Sequence, residues 1–415
     1  MRLKIKGFTD VSALEQADAQ FGDLILKYDG RDVHNLNELG EAQANVSENQ
    51  VSVELKRGNE FITVQIPSGA LGVYLQELQP AHQIKDDPVI IKGVEKLEWD
   101  SEMKNTFLGC MTRIEEKFGQ KLDYNQLAGL STYAFRFHFF DRWCPSSPDA
   151  TVGFDAGSYL LDQLGYEYEM CFKETDQSKE SGIKTYGEEE LKAKIKESID
   201  KGWPVMAADL IQVPEWGIIT GYQDDGNEHF CRTYFDKTEG YELAQKFPFL
   251  VLIIKDKKEV EIDHTKVLPK VHELYTTEKY DNYFSGIKAW KEWIAALEDE
   301  EFFKDLTEDK HFEVMHTNWW IYYTLTEARL VALDYFHDYA GEMGIDEEDA
   351  EQLYEILSEC VAALESGLPT VPSPYEQDDP EWEQEQRVHQ VKILKQILEI
   401  EEEFSNNLAD AIKKD

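Results

Sequence analysis

Strict alternation of apolar and polar residues dominates the first 78 positions of the chain. In VSVELKRGNEFITVQIP, Val51, Val53 and Leu55 alternate with polar neighbours, Arg57-Gly58-Asn59 supplies a turn, and Ile62, Val64 and Ile66 alternate back. A period of two interrupted by turn residues predicts a β-hairpin. LKIKGF reads as an earlier strand and VSALEQADAQ as a short helix. FGDLILKYDGRDV reads as a strand entering a Tyr28-Asp29-Gly30-Arg31 turn, and 36–43 as a helix. Residues 79–88 are polar, carry Pro80 and Pro88, and read as a linker.

The pattern changes over 89–258. Met111, Ile114 and Phe118 follow Cys110 at helical spacing and end at Gly119, so Cys110 is expected in the first turn of a helix. Asp123 is an N-cap for a helix ending at Leu130; 155–164 is a helix stopped by Gly165, 166–172 a strand, and 186–201 a charged helix closed by Gly202. WPVMAADL, WGIITGYQ, HFCRTYF and PFLVLII are then four short strands, with Asp224-Asp225-Gly226-Asn227 turning between the second and third. Helices followed by a meander imply an α+β unit with an antiparallel sheet.

From 271 to 415 apolar residues step by three and four. Tyr283, Ile287, Trp290, Ile294 and Leu297 form one stripe; 316–343 carries Trp319, Trp320, Tyr322 and Tyr323; Ala350, Leu353, Leu357, Cys360 and Leu364 form another. Asp379-Pro380 supplies an N-cap and first-turn proline for a last helix reaching about residue 412. This is the pattern of an all-α bundle, and its aromatic stripes read as core. The chain is thus expected to be α+β and multidomain: a β-rich unit at 1–78, a linker at 79–88, an α+β unit at 89–258 and a helical bundle at 271–415.

Composition narrows the function. Lys and Arg number 42 against 83 Asp and Glu, a net charge of −41. That field disfavours nucleic acid and anionic membranes and attracts cationic ligands. Five cysteines, an odd number with no C-x-x-C pair, argue against a disulfide framework or zinc ribbon. MRLKIKGFTD lacks the apolar core of a signal peptide, and no run approaches the ~18 apolar residues of a membrane helix. A cytoplasmic protein is expected. No His-Glu-x-x-His spacing and no Gly-rich phosphate loop occurs, so neither metal nor cofactor is expected.

Cys110 is the candidate nucleophile, because the unpaired N–H groups at a helix start favour a thiolate. His138, in FRFHFF, and His229, in NEHFCRTYF, are the histidines of the same unit, and Cys144 is a second thiol in a Pro/Ser loop. Each of these also fits a plain packing role.

Two resemblances add to this reading. Ser12-Ala13-Leu14, Gly22-Asp23-Leu24-Ile25, Asp29-Gly30 and the hairpin make residues 1–78 resemble a bacterial PDZ domain in circularly permuted order. The resemblance implies that Ala70-Leu71-Gly72-Val73 is the loop receiving a terminal carboxylate, with a peptide or protein C-terminus adding as a strand. A groove filled by the protein's own chain is the other possibility.

In the middle unit, Cys110 leads to Gly119 and the Tyr124…Leu127-Ala128-Gly129-Leu130-Ser131…Ala134-Phe135 run. Lys201-Gly202-Trp203-Pro204-Val205 follows, then Gly217-Ile218-Ile219-Thr220-Gly221-Tyr222 and Tyr234-Phe235-Asp236. Together these resemble the papain-like cysteine peptidase fold, and more narrowly the butirosin-biosynthesis-H N-terminal family and C39-like peptidases. A helical tail follows the unit in the butirosin-H-like family too. The resemblance implies a Cys110 thiolate, a histidine base on the strand before Gly221, and Asp236 orienting it. Where that histidine falls, the chain has Glu215-Trp216. A carboxylate replaces imidazole poorly, since its negative charge raises the thiol pKa. His138 or His229 would then have to serve. The sequence reading is a degenerate cysteine-peptidase-like protein that binds a peptide or small ligand. The alternatives are an active acyl-transfer enzyme (peptidase, amidase or acyltransferase) using Cys110, and a scaffold acting through the PDZ-like groove.

Overall fold

The computed structural model describes the chain except residues 10, 59, 80, 81, 83, 86, 100, 102, 142, 176–183, 376–381 and 414–415. The turn residue Asn59, the linker residue Pro80 and the Asp379-Pro380 helix start lie outside the described residues.

Alternation in the first unit produces a six-stranded antiparallel sheet. Its strands are β1 (Arg2–Phe8), β2 (Leu24–Tyr28), β3 (Arg31–Asp32), β4 (Gln50–Arg57), β5 (Glu60–Pro67) and β6 (Val73–Leu78), ordered β5-β4-β2-β1-β6 with β3 on β2. The hairpin register sets Val51 opposite Ile66, Val53 opposite Val64 and Leu55 opposite Ile62. Leu3, Ile5, Ile25, Val53 and Leu55 are buried with Leu14 of α1 (Ala13–Gln16) and Leu39 of α2 (Leu36–Ala44). The segment after β6 is tied to the next unit, since Gln79 bridges Thr238.

The middle sheet has eight strands. β7 (Val89–Ile90) pairs with β12 (Trp216–Gln223), beside β9 (Tyr166–Lys173), β10 (Thr185–Tyr186), β11 (Val205–Ala208), β13 (Glu228–Arg232), β14 (Glu242–Leu243) and β15 (Leu250–Lys257). Only β9 and β10 among these pair in parallel. The central strands β11 and β12 are covered on both faces and buried along their whole length, while β9 and the end of β15 carry charged residues. Val205 and Ala207 face α6 (Glu188–Asp200), while Met206 and Ala208 face α3 (Thr106–Lys117), α4 (Tyr124–Leu130) and α5 (Ala156–Gln163).

The C-terminal region is helical: α7 (Val267–Thr276), α8 (Gly286–Glu298), α9 (Glu300–Lys304), α10 (Glu308–Tyr339), α11 (Glu347–Gly367) and α12 (Gln384–Ala411). Tyr283 begins no helical stripe. It lies in a short hairpin of β16 (Lys279–Tyr280) and β17 (Tyr283–Ser285), which pairs with β8 (His138–Phe139). The chain turns from strand to helix at Gly286, where φ is +51° and a Cβ would lie 2.5 Å from the Leu274 and Tyr275 carbonyl oxygens.

The helical region and the middle unit share one core. Phe107, Leu127 and Phe135 belong to the same buried cluster as Tyr335, Phe336 and Phe404. Gly129 permits this approach, since a Cβ there would meet the Tyr335 ring at 2.1 Å. Arg329 of α10 is fully buried; it donates to both carboxylate oxygens of Glu401 at 2.7 and 3.2 Å and to the Ala134 carbonyl at 2.8 Å. Removing one partner of such a pair strands the other charge in the core. Among the described residues, no helix is long and apolar enough to cross a membrane.

Candidate functional site

The geometry of α3 decides the fate of Cys110. The helix starts earlier than the apolar spacing predicts, because Asn105 caps it: its side chain accepts from the Leu108 N–H at 3.0 Å, and its own N–H donates to the Tyr124 hydroxyl at 3.0 Å. Thr106, Phe107 and Leu108 therefore form the first turn. Cys110 lies in the second, fully enclosed. Burial, and secondarily the Glu215 carboxylate, push its thiol pKa well above the ordinary range, with Arg113 opposing. This is a correction to the helix-start reading, and it reverses the electrostatic argument for a thiolate. Gly109 is in the helix for packing, since a Cβ there would lie 2.0 Å from the Tyr234 hydroxyl.

The residue at the helix entrance is Thr106. Its hydroxyl donates to Glu215 Oε2 at 2.8 Å and accepts from the Trp216 N–H at 3.3 Å. Glu215 reaches this point from a tight loop before β12: its N–H donates to the Val213 carbonyl at 2.8 Å, and its carbonyl accepts from the Asp209 N–H at 3.1 Å. Burial raises the Glu215 pKa to about 7, with the Thr106 hydrogen bond pulling down and Asp149 pushing up. The Trp216 indole N–H, one residue on, donates to Asp149 Oδ2 at 3.0 Å. Asp149 Oδ1 also accepts from the Thr151 N–H and hydroxyl at 2.7 and 2.6 Å. Both carboxylates border the same cavity, Asp149 acts on Glu215 through its charge, and the side chains of both are bonded by neutral donors. Among the described residues neither has an ion-pair partner.

Thr106, Glu215 and Asp149 line one part of a cavity of about 670 Å³. Its aromatic wall is Trp99, Trp319, Trp320 and Tyr323; Phe235, His316 and Tyr375 also border it. The Trp319 and Tyr323 rings stack at 5.3 Å, and Trp99 meets Trp320 edge-on at 5.7 Å. Part of the aromatic stripe assigned to core therefore faces a void, since Trp319, Trp320 and Tyr323 are only half-buried. The same helix still sends Tyr322 and Tyr335 into the packed interior. Lys104 adds one cation, bonded to the Trp99 carbonyl and 5.4 Å from the centre of the Tyr323 ring.

The other proposed site residues lie apart from this cavity. His138 is buried in β8, where Nε2 accepts from the Phe154 N–H at 3.0 Å and Nδ1 has no partner among the described residues. Burial, then Arg136, hold its pKa well below the ordinary value. Neither Cys110 nor His138 borders the cavity. Asp236 accepts from the Thr233 N–H and hydroxyl at 2.8 and 3.1 Å and pairs with Arg232 at 3.1 Å. It braces the end of β13, and burial raises its pKa to about 6 against the pull of Arg232. His229 is buried beside Phe247 with its pKa lowered to about 4, chiefly by desolvation. Cys144 is half-buried, its sulfur 3.7 Å from the Tyr283 hydroxyl. Ala70, Leu71 and Gly72 lie between β5 and β6 on the first unit, and Val73 opens β6.

Sequence reasoning missed Thr106 and Asp149. Asn105 immediately before the apolar-periodic run carried the N-cap signal that would have moved the helix entrance to Thr106. No local pattern singled out Asp149; it joins the site through a tertiary contact with Trp216. Among the described residues no group of three His, Cys, Asp or Glu side chains is arranged to hold a metal.

The Thr106–Glu215 pair is chemically weak beside a thiol–imidazole pair. A threonine hydroxyl is a poor nucleophile without a strong base, and a carboxylate near neutrality orients it more than it activates it. Enclosure, aromatic walls and a few fixed polar groups are what small-ligand sites offer. No protein-family model and no curated protein matches the chain.

Proposed function

We propose that this protein binds a small ligand in the cavity between Thr106, Glu215 and the α10 aromatics. In this reading the middle unit is a relative of the papain-like fold, nearest the butirosin-H N-terminal and C39-like group, that has given up thiol catalysis. The observation that carries it is the pairing of Thr106 with Glu215 at the helix entrance, beside an open aromatic-walled volume, with Cys110 enclosed one turn deeper. Acyl transfer through Cys110 would need a reachable thiolate and a nearby imidazole. The cavity border holds one imidazole, that of His316, set against Trp319, and no thiol.

The test is a fragment set screened by ligand-observed NMR against the protein and its Ser146→Trp variant, in which a bulky ring plugs the exposed rim of the cavity. Fragments that bind the parent and lose binding in the variant support the reading. Fragments that bind both equally, or no binding at all, overturn it.

A second reading rests on its own observation. Among the described residues β6 is an edge strand paired with β1 alone, next to α2, whose Leu36 N–H donates to Glu77 at 2.7 Å. Before it, the Ala70, Leu71 and Gly72 N–H groups have no acceptor among the described residues. Free amides beside an open edge suit a PDZ-like carboxylate site. Gly72 is a poor probe of it, because a Cβ there would lie 2.5 Å from Ser12 Cα and break the loop itself. The cleaner comparison is a C-terminal peptide library with free against amidated ends. Preference for free carboxylates supports this site, and equal binding removes it.

A further inference from the structure

Resting on the cavity reading, we propose that the ligand is an organic amine, its ammonium bound by Glu215 and Asp149 and its apolar body lying against Trp99, Trp319, Trp320 and Tyr323.

Three features of the cavity agree on this chemistry. The first is the pair of carboxylates. Asp149 accepts three hydrogen bonds, all from neutral donors, and Glu215 accepts one from Thr106, leaving Oε1 without a partner among the described residues. Arg136 bonds the Asp149 carbonyl and offsets part of that carboxylate's charge, whereas Glu215 is half-buried, is repelled by Asp149 and makes no ion pair among the described residues, so a cation seated at Glu215 relieves its repulsion and desolvation. The second is the wall. Indole and phenol rings present negative faces that attract cations and flat apolar groups alike. The protein's own Lys104 already sits in this geometry against Tyr323. Its ammonium also donates to the Trp99 carbonyl, which holds it against the aromatic wall. The third is the field. A net charge of −41 draws cations toward the surface and repels anions, and an acidic site at the end of that gradient collects what arrives.

His316 does not counter this. It is half-buried, its ring lies near Trp319 at 6.1 Å, and burial lowers its pKa, so it remains neutral at pH 7 and above. The acidic pair matches an ammonium, which donates up to three hydrogen bonds, better than a quaternary cation, which donates none.

The test uses three probes of one shape: 4-phenylbutylamine, 4-phenylbutanol and 4-phenylbutyrate. Each is titrated into the full chain at pH 8 while emission of the cavity tryptophans is followed. The amine is expected to bind about tenfold or more tighter than the alcohol, with the carboxylate weakest. In Glu215→Gln, which keeps an acceptor for Thr106, the amine should lose about tenfold while the alcohol is unchanged. Equal binding of amine and alcohol, or stronger binding of the carboxylate, overturns the amine assignment and leaves the cavity reading standing. No binding by any of the three, together with a blank fragment screen, overturns both.

Discussion

Thr106 and Cys110 stand one helical turn apart on α3 and meet opposite surroundings. Thr106 borders a void with a carboxylate 2.8 Å from its hydroxyl. Cys110 is fully enclosed, beside a glycine whose missing side chain makes room for Tyr234. The same division runs along α10: Arg329 and Tyr335 are locked into the core, while Trp319, Trp320 and Tyr323 look into the cavity. A turn of helix is enough to separate a packing residue from a site residue, and residue chemistry alone does not say which is which. A cysteine is as good a core residue as a nucleophile.

The packed face of α10 should be the most sensitive to substitution. Arg329→Met strands the Glu401 carboxylate and should cost about 3–5 kcal/mol in urea unfolding. Trp320→Leu, on the cavity face, should cost about 1 kcal/mol. Similar losses for both would mean that the cavity face is packed core after all. A smaller contrast tests α3. Gly109→Val drives a side chain into Tyr234 and should cost about 3 kcal/mol, whereas Thr106→Val removes the two hydrogen bonds of its hydroxyl and should cost about 1–2 kcal/mol. A reversed order would contradict the placement of the helix entrance.

The finest test is the pH dependence of stability. Burial raises the Glu215 pKa to about 7 from an ordinary 4.5, so the folded protein holds this proton more tightly than the unfolded chain. Stability from this group therefore falls as pH rises from about 4.5 through about 7. Of the groups facing it, Asp149 pushes in the same direction, the Cys110 thiol stays protonated over that range, and Thr106 does not titrate. Asp236, raised to about 6, adds a parallel slope elsewhere, so the quantity to compare is the parent against Glu215→Gln. The variant should show a shallower decline between pH 5 and 8 in urea midpoints; an unchanged slope would mean that Glu215 is not desolvated.

Much of the fold was legible because its patterns are local. The Val51–Ile66 hairpin, the Asp123 N-cap and the turn at Asp224-Asp225-Gly226 all follow from nearest-neighbour chemistry. The failures were tertiary. Tyr283 fits a helical stripe with Ile287 and Trp290, yet β8 offers its segment a strand partner, and backbone pairing overrides the spacing. The apolar spacing of Met111, Ile114 and Phe118 marks the helix only from Cys110 on, one turn after the entrance that the Asn105 cap sets. Glu215 was legible as the position opposite the helix start. The sequence read it only as a missing histidine, and its role as a wall of a cavity needed Trp319, Trp320 and Asp149 from distant parts of the chain.

Cys110 is enclosed as a packing residue, and the ligand site proposed beside it needs no thiol. The most direct measurement is the native alkylation rate of each cysteine by iodoacetamide at pH 7.5, resolved by peptide mass spectrometry. Cys110 is expected to react at least ~100-fold more slowly than glutathione, as a fully enclosed group does, and more slowly than the half-buried Cys144. Alkylation of Cys110 at or above the glutathione rate would contradict it and return the thiol to the centre of the chemistry.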